Sequence, residues 1–163
     1  MTAGILGFGA YVPWRRLQRK AIVEQHGWFN AALKSQARGE RAMANWDEDA
    51  VTMAVEAARD ALTGFDRSGV SALRVASTTF PFLDRLHAGI VADALELSDD
   101  ISTSDVSATQ RAGTTALIDA LRSRQRTLVI GSENRRSKAA STHELSSGDA
   151  AAALLVGEGD VVA

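Results

Sequence analysis

The chain of 163 residues contains no cysteine, so it can form neither a disulfide framework nor a thiolate metal site. It has only three histidines, His26, His87 and His143, and their wide separation argues against a zinc site built by this chain alone. No apolar run approaches the roughly 18–20 residues that a membrane-spanning helix needs. The first residues lack the basic and apolar segments of a secretory signal, so we expect a cytoplasmic protein with no membrane partner.

Excess charge and aromatic side chains are also scarce. The formal net charge is −2 and the pI is about 5.9, which argues against nucleic acid as the main partner because phosphate binding needs a concentrated basic surface. Aromatic residues make up 6% of the chain, whereas hydrophobic residues make up 45%. We therefore expect one globular domain over residues 1–163, with a core of small aliphatic side chains.

Apolar runs alternate with helical spacings along the chain, and this pattern predicts an α/β fold. Strands are predicted at residues 4–13, 73–79, 101–107, 127–133 and 147–157. Helices are predicted near residues 19–26, over 48–62 and 84–95, and after Gln110. This order implies a mixed, mostly parallel five-stranded sheet with helices on both faces.

Two local features carry more specific expectations. Asn45 or Asp47 is expected to cap the helix over 48–62, because short polar side chains accept hydrogen bonds from the first helical N–H groups. The basic residues 15–20 are expected to form a solvated loop. The alternative is that they contact the phosphates of a carrier or of coenzyme A.

The stretch 105–117 joins a strand directly to a helix. The residues before it are β-branched or small, and Ala112, Ala116 and Ala120 follow at helical spacing. A strand that turns sharply into a helix surrounds one side chain with the free N–H groups of the helix N-terminus. Enzymes use this geometry for a nucleophile beside an oxyanion site, and the residue at this turn is Gln110.

The pattern Asp-Val-x-Ala-x-Gln-x-x-x-Thr-x-Ala-Leu at residues 105–117 resembles the nucleophile segment of the thiolase superfamily. The closest branches are ketoacyl-ACP synthase III and hydroxymethylglutaryl-CoA synthase, acyltransferases of lipid metabolism that form carbon–carbon bonds by thioester condensation. Other segments similar to family motifs follow in the expected order, at residues 7–13, 40–58, 127–133 and 148–152. The resemblance implies a thiolase-like half-domain.

The resemblance also implies departures at two catalytic positions. In the family a cysteine stands where this chain has Gln110, so acyl-enzyme formation is not expected here. Hydroxymethylglutaryl-CoA synthases carry a catalytic glutamate where this chain has Thr78, and a threonine cannot serve as that general acid–base. Candidate substrate-binding residues in the matching segments are Arg41, Arg111 and Gly113.

The resemblance covers nearly the whole chain but only the first of the two halves of a thiolase-type subunit. The second half supplies a histidine and an asparagine or second histidine to the family's site, so the chain is expected to be a fragment or a separate half-subunit. We expect a homo-oligomer or a C-terminal-half partner, with association through the apolar side of residues 112–120. No covalently bound cofactor is implied, and a coenzyme A thioester is the implied substrate.

Two functions follow from the resemblance. The first is a domain that handles acyl-CoA or acyl carrier protein thioesters; some ketosynthase relatives with glutamine at this position decarboxylate malonyl groups. The second is a non-catalytic partner or scaffold subunit of a competent homologue, and a zinc-ribbon/OB-fold protein is a further partner by analogy. A sequence error or an engineered replacement of cysteine is another explanation of Gln110.

The remaining polar candidates are expected to have structural roles. Asp105 is expected to cap or hydrogen-bond near the turn, and His87 to be a satisfied or surface histidine. His143 lies in a polar stretch where solvation is expected. Asp149 precedes the last strand and is expected to shape the turn.

Overall fold

A computed structural model of the chain describes residues 3–162. The strands are β1 (Ala3–Tyr11), β2 (Arg15–Gln18), β3 (Glu40–Met43), β4 (Ala72–Ala76), β5 (Ser102–Val106), β6 (Thr127–Glu133) and β7 (Ala150–Glu158). The helices are α1 (Arg19–His26), α2 (Ala50–Ala61), α3 (His87–Ala94), α4 (Ala112–Ser123) and α5 (Thr142–Ser146). Within this part of the chain, no helix has the length and apolar character needed to cross a membrane.

The main sheet has the strand order β1-β7-β6-β4-β5. β4 pairs in parallel with both β5 and β6, whereas β7 pairs antiparallel with both β6 and β1. Four strands therefore run in one direction and β7 runs against them. The predicted mixed, mostly parallel five-stranded sheet is confirmed.

Helices cover both faces of this sheet, as predicted. On one face, α2 and α3 pack over the fully buried side chains Leu73, Leu128 and Leu155. On the other face, α4 packs its alanines over Val129 and Val156. Small residues on α2 and α4 let the helix backbones approach the strands closely, which suits a chain with few aromatic side chains.

The alanine stripe of α4 is not available for association, contrary to the sequence expectation. Ala112, Ala116 and Ala120 are 3%, 1% and 3% exposed. Strands β6 and β7 of the same chain already cover this side of the helix. The expectation that the apolar side of residues 112–120 is exposed for association is therefore wrong for these three alanines.

The basic residues 15–20 do not form a solvated loop. Residues 15–18 are strand β2, which pairs antiparallel with β3, and α1 begins at Arg19. The amide Nε2 of Gln18 donates to Oε2 of Glu40 at 2.8 Å, and Nε of Arg16 lies 3.7 Å from Oε1 of the same residue. This pairing joins segments more than twenty residues apart, so the local run of basic residues does not reveal it.

Helix α2 begins later than predicted, and its cap is Asp49 rather than Asn45 or Asp47. Oδ1 of Asp49 accepts hydrogen bonds from the backbone N–H groups of Val51 (2.8 Å) and Thr52 (2.9 Å). In return, the Thr52 hydroxyl oxygen accepts from the N–H of Asp49 at 2.8 Å. This reciprocal capping box fixes the helix start directly before its buried run.

Replacing Asp49 by alanine is expected to lower the free energy of unfolding by about 1 kcal/mol, because N–H groups of the first turn lose their acceptor. The matched control is Asp47→Ala, since Asp47 is exposed and makes no capping bond. Urea denaturation of both variants measures the difference. An equal loss in the two variants would contradict the assignment of the cap.

Asp105 on β5 determines where α3 begins. Its Oδ2 accepts from the backbone N–H of His87 (2.9 Å) and lies 2.8 Å from Nδ1 of that ring, while Oδ1 accepts from the N–H of Ala88 (2.8 Å). The other ring nitrogen, Nε2, accepts from the N–H of Phe82 at 3.2 Å. Asp105 therefore caps α3 rather than bonding at the turn before α4 where it was expected, whereas His87 is a satisfied buried histidine, as predicted.

Candidate functional site

The candidate site lies where two parallel strands end beside the start of α4. Thr78 follows β4, Glu133 ends β6, and Gln110 precedes α4. These residues meet at a cavity of about 300 Å³, here called the Gln110 cavity. Its lining is Thr78, Gln110, Glu133, Arg135, His143, Ser147 and Gly148.

The turn between β5 and α4 places Gln110 in front of a helix N-terminus. Ala108 has a φ of 69°, in the left-handed region that non-glycine residues rarely adopt. Three residues separate this position from the first helical residue, Ala112. Arg111, the residue before α4, makes no side-chain capping bond, and the N–H groups of Arg111 and Ala112 donate to the hydroxyl and carbonyl oxygens of Thr109. The exposed Gln110 lies directly before this helix start. The predicted strand-to-helix turn at Gln110 is present.

Glu133 joins the ends of β4 and β6 through three hydrogen bonds. Its Oε1 accepts from the backbone N–H of Thr78 at 2.7 Å. Its Oε2 accepts from the hydroxyls of Thr78 (2.9 Å) and Thr79 (3.0 Å). Nη2 of Arg135 donates to the Thr78 hydroxyl oxygen at 3.2 Å. Thr78 therefore stands between a carboxylate and a guanidinium group.

A second, larger cavity of about 620 Å³ adjoins the first and shares Thr78, Arg135 and His143 with it. We call it the basic cavity. Its lining is Asp49, Thr78, Thr79, Phe80, Pro81, Asn134, Arg135, Arg136, Ser137, Lys138, Ser141 and His143. Three permanent cations face one carboxylate in this lining, so the cavity favours an anionic ligand.

Arg41 lies away from the Gln110 cavity, in a buried ion pair. Its Nη2 lies 3.5 Å from Oδ1 of Asp149, and its Nη1 donates to the carbonyl oxygen of Glu144 at 2.9 Å. Oδ2 of Asp149 accepts from the N–H of Ala44 at 2.9 Å. The pair ties β3 to the segment before β7, and both side chains also line a third cavity of about 250 Å³.

The other predicted substrate-binding residues, Arg111 and Gly113, lie at the start of α4 but do not line these three cavities. The structure thus brings Gln110 and Thr78 together and leaves the three candidate binding residues outside their cavity. Sequence reasoning missed Glu133, Arg135 and His143. A topological signal existed for Glu133, because carboxyl ends of adjacent parallel strands meet at one edge of a sheet.

Residues 3–162 contain no group of three or more histidine, aspartate and glutamate side chains arranged to hold a metal ion. The guanidinium of Arg135, the Gln110 amide and the hydroxyls of Thr78 and Ser147 in the Gln110 cavity are suited to donating hydrogen bonds to a polarised carbonyl oxygen.

Tyr11 connects β1 to the edge of the third cavity and provides a spectroscopic test of the structure. Its hydroxyl donates to Oε1 of Glu48, and this hydrogen bond, with burial and the charge of Glu48, raises the pKa of Tyr11 to about 12. Tyr11 is the only tyrosine in the chain, so phenolate absorbance reports this group alone.

The absorbance titration is expected to have its midpoint near pH 12, and Glu48→Gln is expected to lower the pKa of Tyr11 towards the ordinary value of 10.0. Because the folded state favours the protonated phenol, this stabilisation is complete below pH 10 and is lost as the pH rises through 12. A midpoint near 10 in the folded wild-type chain would contradict the Tyr11–Glu48 contact.

No protein-family model matches the chain, but individual proteins do. The hydroxymethylglutaryl-CoA synthase of Aeropyrum pernix is 34% identical over 163 aligned residues, which cover 96% of this chain and 45% of that protein. The hydroxymethylglutaryl-CoA synthase of Caldivirga maquilingensis is 31% identical and covers 100% of this chain and 49% of its own length. The chain thus spans about half the length of the curated relatives it matches.

A similar relationship exists among solved structures. The priming β-ketosynthase from the R1128 polyketide biosynthetic pathway superimposes with a TM-score of 0.84 at 25% identity. The match covers 98% of this chain and 51% of the ketosynthase chain. The sequence and structure comparisons therefore agree that the chain matches about half the length of these proteins.

Proposed function

We propose that the chain, which is similar to hydroxymethylglutaryl-CoA synthases over about half of their length and to a thiolase-like ketosynthase in fold, binds acyl thioesters at the Gln110 cavity. The observation that carries the proposal is the position of Gln110 just before a helix N-terminus, in a cavity that shares three lining residues with the basic cavity. The acyl group is carried by coenzyme A or by an acyl carrier protein.

The two cavities suit different parts of such a ligand. The acyl end fits the smaller Gln110 cavity, whereas the phosphates of the carrier fit the basic cavity, where Arg136 and Lys138 supply charge-assisted hydrogen bonds. Arg135 lines both cavities and therefore lies at the junction between thioester and carrier.

Gln110 takes part in binding rather than in covalent catalysis. A carboxamide is not a nucleophile, so no acyl-enzyme forms at this residue. Its amide N–H groups, together with the first N–H groups of α4, are suited to donate to the thioester carbonyl oxygen. This arrangement holds and polarises the thioester.

A second candidate function is that of a partner subunit, and one exposed surface favours it. Phe8 on β1 is 70% exposed and pairs in register with Leu154 on β7, which packs into the core beneath α4. An uncovered aromatic side chain on this sheet face suits a second polypeptide, either another copy or a homologous C-terminal half. Light scattering of wild type and Phe8→Ser tests it, and a monomeric wild type would exclude self-association.

Isothermal titration with acetyl-CoA tests the thioester-binding proposal. We expect wild type to bind, and the double variant Arg136→Gln, Lys138→Gln to bind about tenfold or more weakly, because charged groups make the stronger hydrogen bonds. The matched control is Arg122→Gln, which removes an exposed cation on α4 outside the three cavities. No heat of binding by wild type, or an equal loss in the control, would contradict the proposal.

A further inference from the structure

We propose that Thr78 is an acyl acceptor whose hydroxyl is activated by Glu133. This inference rests on the proposed function, because it needs a thioester in the Gln110 cavity. It assigns a nucleophile to this site, where the carboxamide of Gln110 cannot act as one. Two side chains on neighbouring strands, Thr78 after β4 and Glu133 at the end of β6, would carry the reaction.

The hydrogen bonds around Thr78 are those of an activated nucleophile. Its hydroxyl donates to Oε2 of Glu133 at 2.9 Å, so the carboxylate is in position to take the proton. Activated hydroxyls in enzymes pair with a base that a further group holds in place. Here the N–H of Thr78 (2.7 Å) and the hydroxyl of Thr79 (3.0 Å) hold Glu133.

Arg135 adds the positive charge that such a hydroxyl needs. Its Nη2 donates to the Thr78 hydroxyl oxygen at 3.2 Å and stabilises negative charge as it develops there. No carboxylate among residues 3–162 lies within ion-pair distance of this guanidinium. The carboxylate of Glu133 is satisfied by its three donors and leaves Arg135 available to Thr78 and to a ligand.

The neighbouring hydroxyl, that of Thr79, is already engaged by other groups of the protein. Its hydroxyl donates to Glu133, and its oxygen accepts from the N–H of Asn134 at 2.8 Å and lies 3.2 Å from the hydroxyl oxygen of Ser77. Thr79 also lines only the basic cavity, whereas Thr78 lines both. The half-buried Thr78 is therefore the hydroxyl of this network that faces the predicted acyl group.

The reaction is a transfer of the acyl group from sulfur to oxygen. The Thr78 oxygen attacks the thioester carbonyl carbon while its proton passes to Glu133, and the carbonyl oxygen becomes an oxyanion facing the Gln110 amide. The carbon–sulfur bond then breaks, and the thiolate takes the proton from Glu133. The products are a Thr78 ester and the free thiol, with no oxidant or reductant required.

Intact-mass spectrometry after incubation with acetyl-CoA tests the inference. We expect wild type to gain one acetyl group, located at Thr78 by peptide mapping and removed by hydroxylamine as an ester. Thr78→Val is expected to lose the adduct and Thr78→Ser to keep it. Glu133→Gln is expected to slow the labelling by about a hundredfold or more, the contribution of a general base. The control Thr63→Val, which removes an exposed hydroxyl outside the three cavities, should still be labelled.

The outcomes separate this inference from the proposal on which it rests. If acetyl-CoA binds by calorimetry but no ester forms, the acyl-acceptor role of Thr78 is wrong and thioester binding stands. If acetyl-CoA does not bind, both fail. A hydroxylamine-resistant adduct on Lys138, or an ester on Ser147, would also overturn the assignment to Thr78.

Discussion

Replacing Asp149 by alanine is expected to lower the free energy of unfolding by about 3–5 kcal/mol, because it leaves the buried guanidinium of Arg41 without its counter-ion. Arg41 is 9% exposed and Asp149 is 4% exposed, so little of either side chain is in contact with bulk solvent. The change also removes the acceptor of the Ala44 N–H. Urea denaturation followed by circular dichroism measures the effect.

Two further variants identify the cause of this loss. Asp149→Asn removes the charge but retains an oxygen for the Ala44 N–H, so we expect it to be less destabilising than Asp149→Ala. Asp99→Ala removes an exposed carboxylate and is the neutral control. If Asp149→Ala were as stable as Asp99→Ala, the buried pair would contribute nothing to the fold, contrary to the structure.

Replacing Gly9 by alanine is expected to destabilise the domain by about 3 kcal/mol, because a Cβ atom at this position would overlap the backbone of α2. The added atom would lie 2.2 Å from the backbone nitrogen of Ala61 and 2.6 Å from the carbonyl oxygen of Ala57. Neither atom can rotate away, so the helix must shift off β1. Gly9 is therefore the position where β1 and α2 make their closest approach among the described glycines.

The matched control is Gly113→Ala in α4. A Cβ atom there would meet nothing within 4 Å, and alanine is the better helix former, so the variant is expected to be as stable as wild type or more stable by up to about 1 kcal/mol. Thermal and urea unfolding of both variants measure the contrast. Equal stability of the two variants would contradict the packing of α2 against β1.

The sheet and its covering helices were predictable because their signals are local. Each buried strand is a short apolar run, and each helix repeats its apolar residues at helical spacing. The strand over residues 127–133 matches its predicted bounds, as does the helix at residues 19–26. The order of these elements, with helices between the parallel strands, then determines the architecture.

Features that depend on distant contacts were not predictable from local pattern. The start of α3 is set by Asp105, which lies eighteen residues beyond His87 on another strand. The β2–β3 ribbon likewise depends on pairing between separated segments. Residue type gives no indication of these contacts, because the partner is chosen by the folded chain.

Some residues of the candidate site were likewise predictable from local sequence, and others depend on distant contacts. Gln110 and Thr78 were identified by sequence motif, and the structure places both on one cavity. Glu133 and Arg135 complete that cavity only because β6 lies beside β4 in the sheet. Arg41 shows the converse, since a basic residue in a matching segment forms a buried pair with Asp149 rather than lining the Gln110 cavity.

The central claim is that an acyl thioester binds between Gln110 and the basic cavity. The most direct measurement is a nuclear magnetic resonance titration of the labelled 17.3 kDa chain with acetyl-CoA. We predict that the side-chain amide of Gln110 and the backbone amides of Thr78 and Arg135 shift together with added ligand, while Gly64, outside the three cavities, does not. An unchanged Gln110 amide at saturating acetyl-CoA, or shifts confined to residues outside both cavities, would contradict the claim.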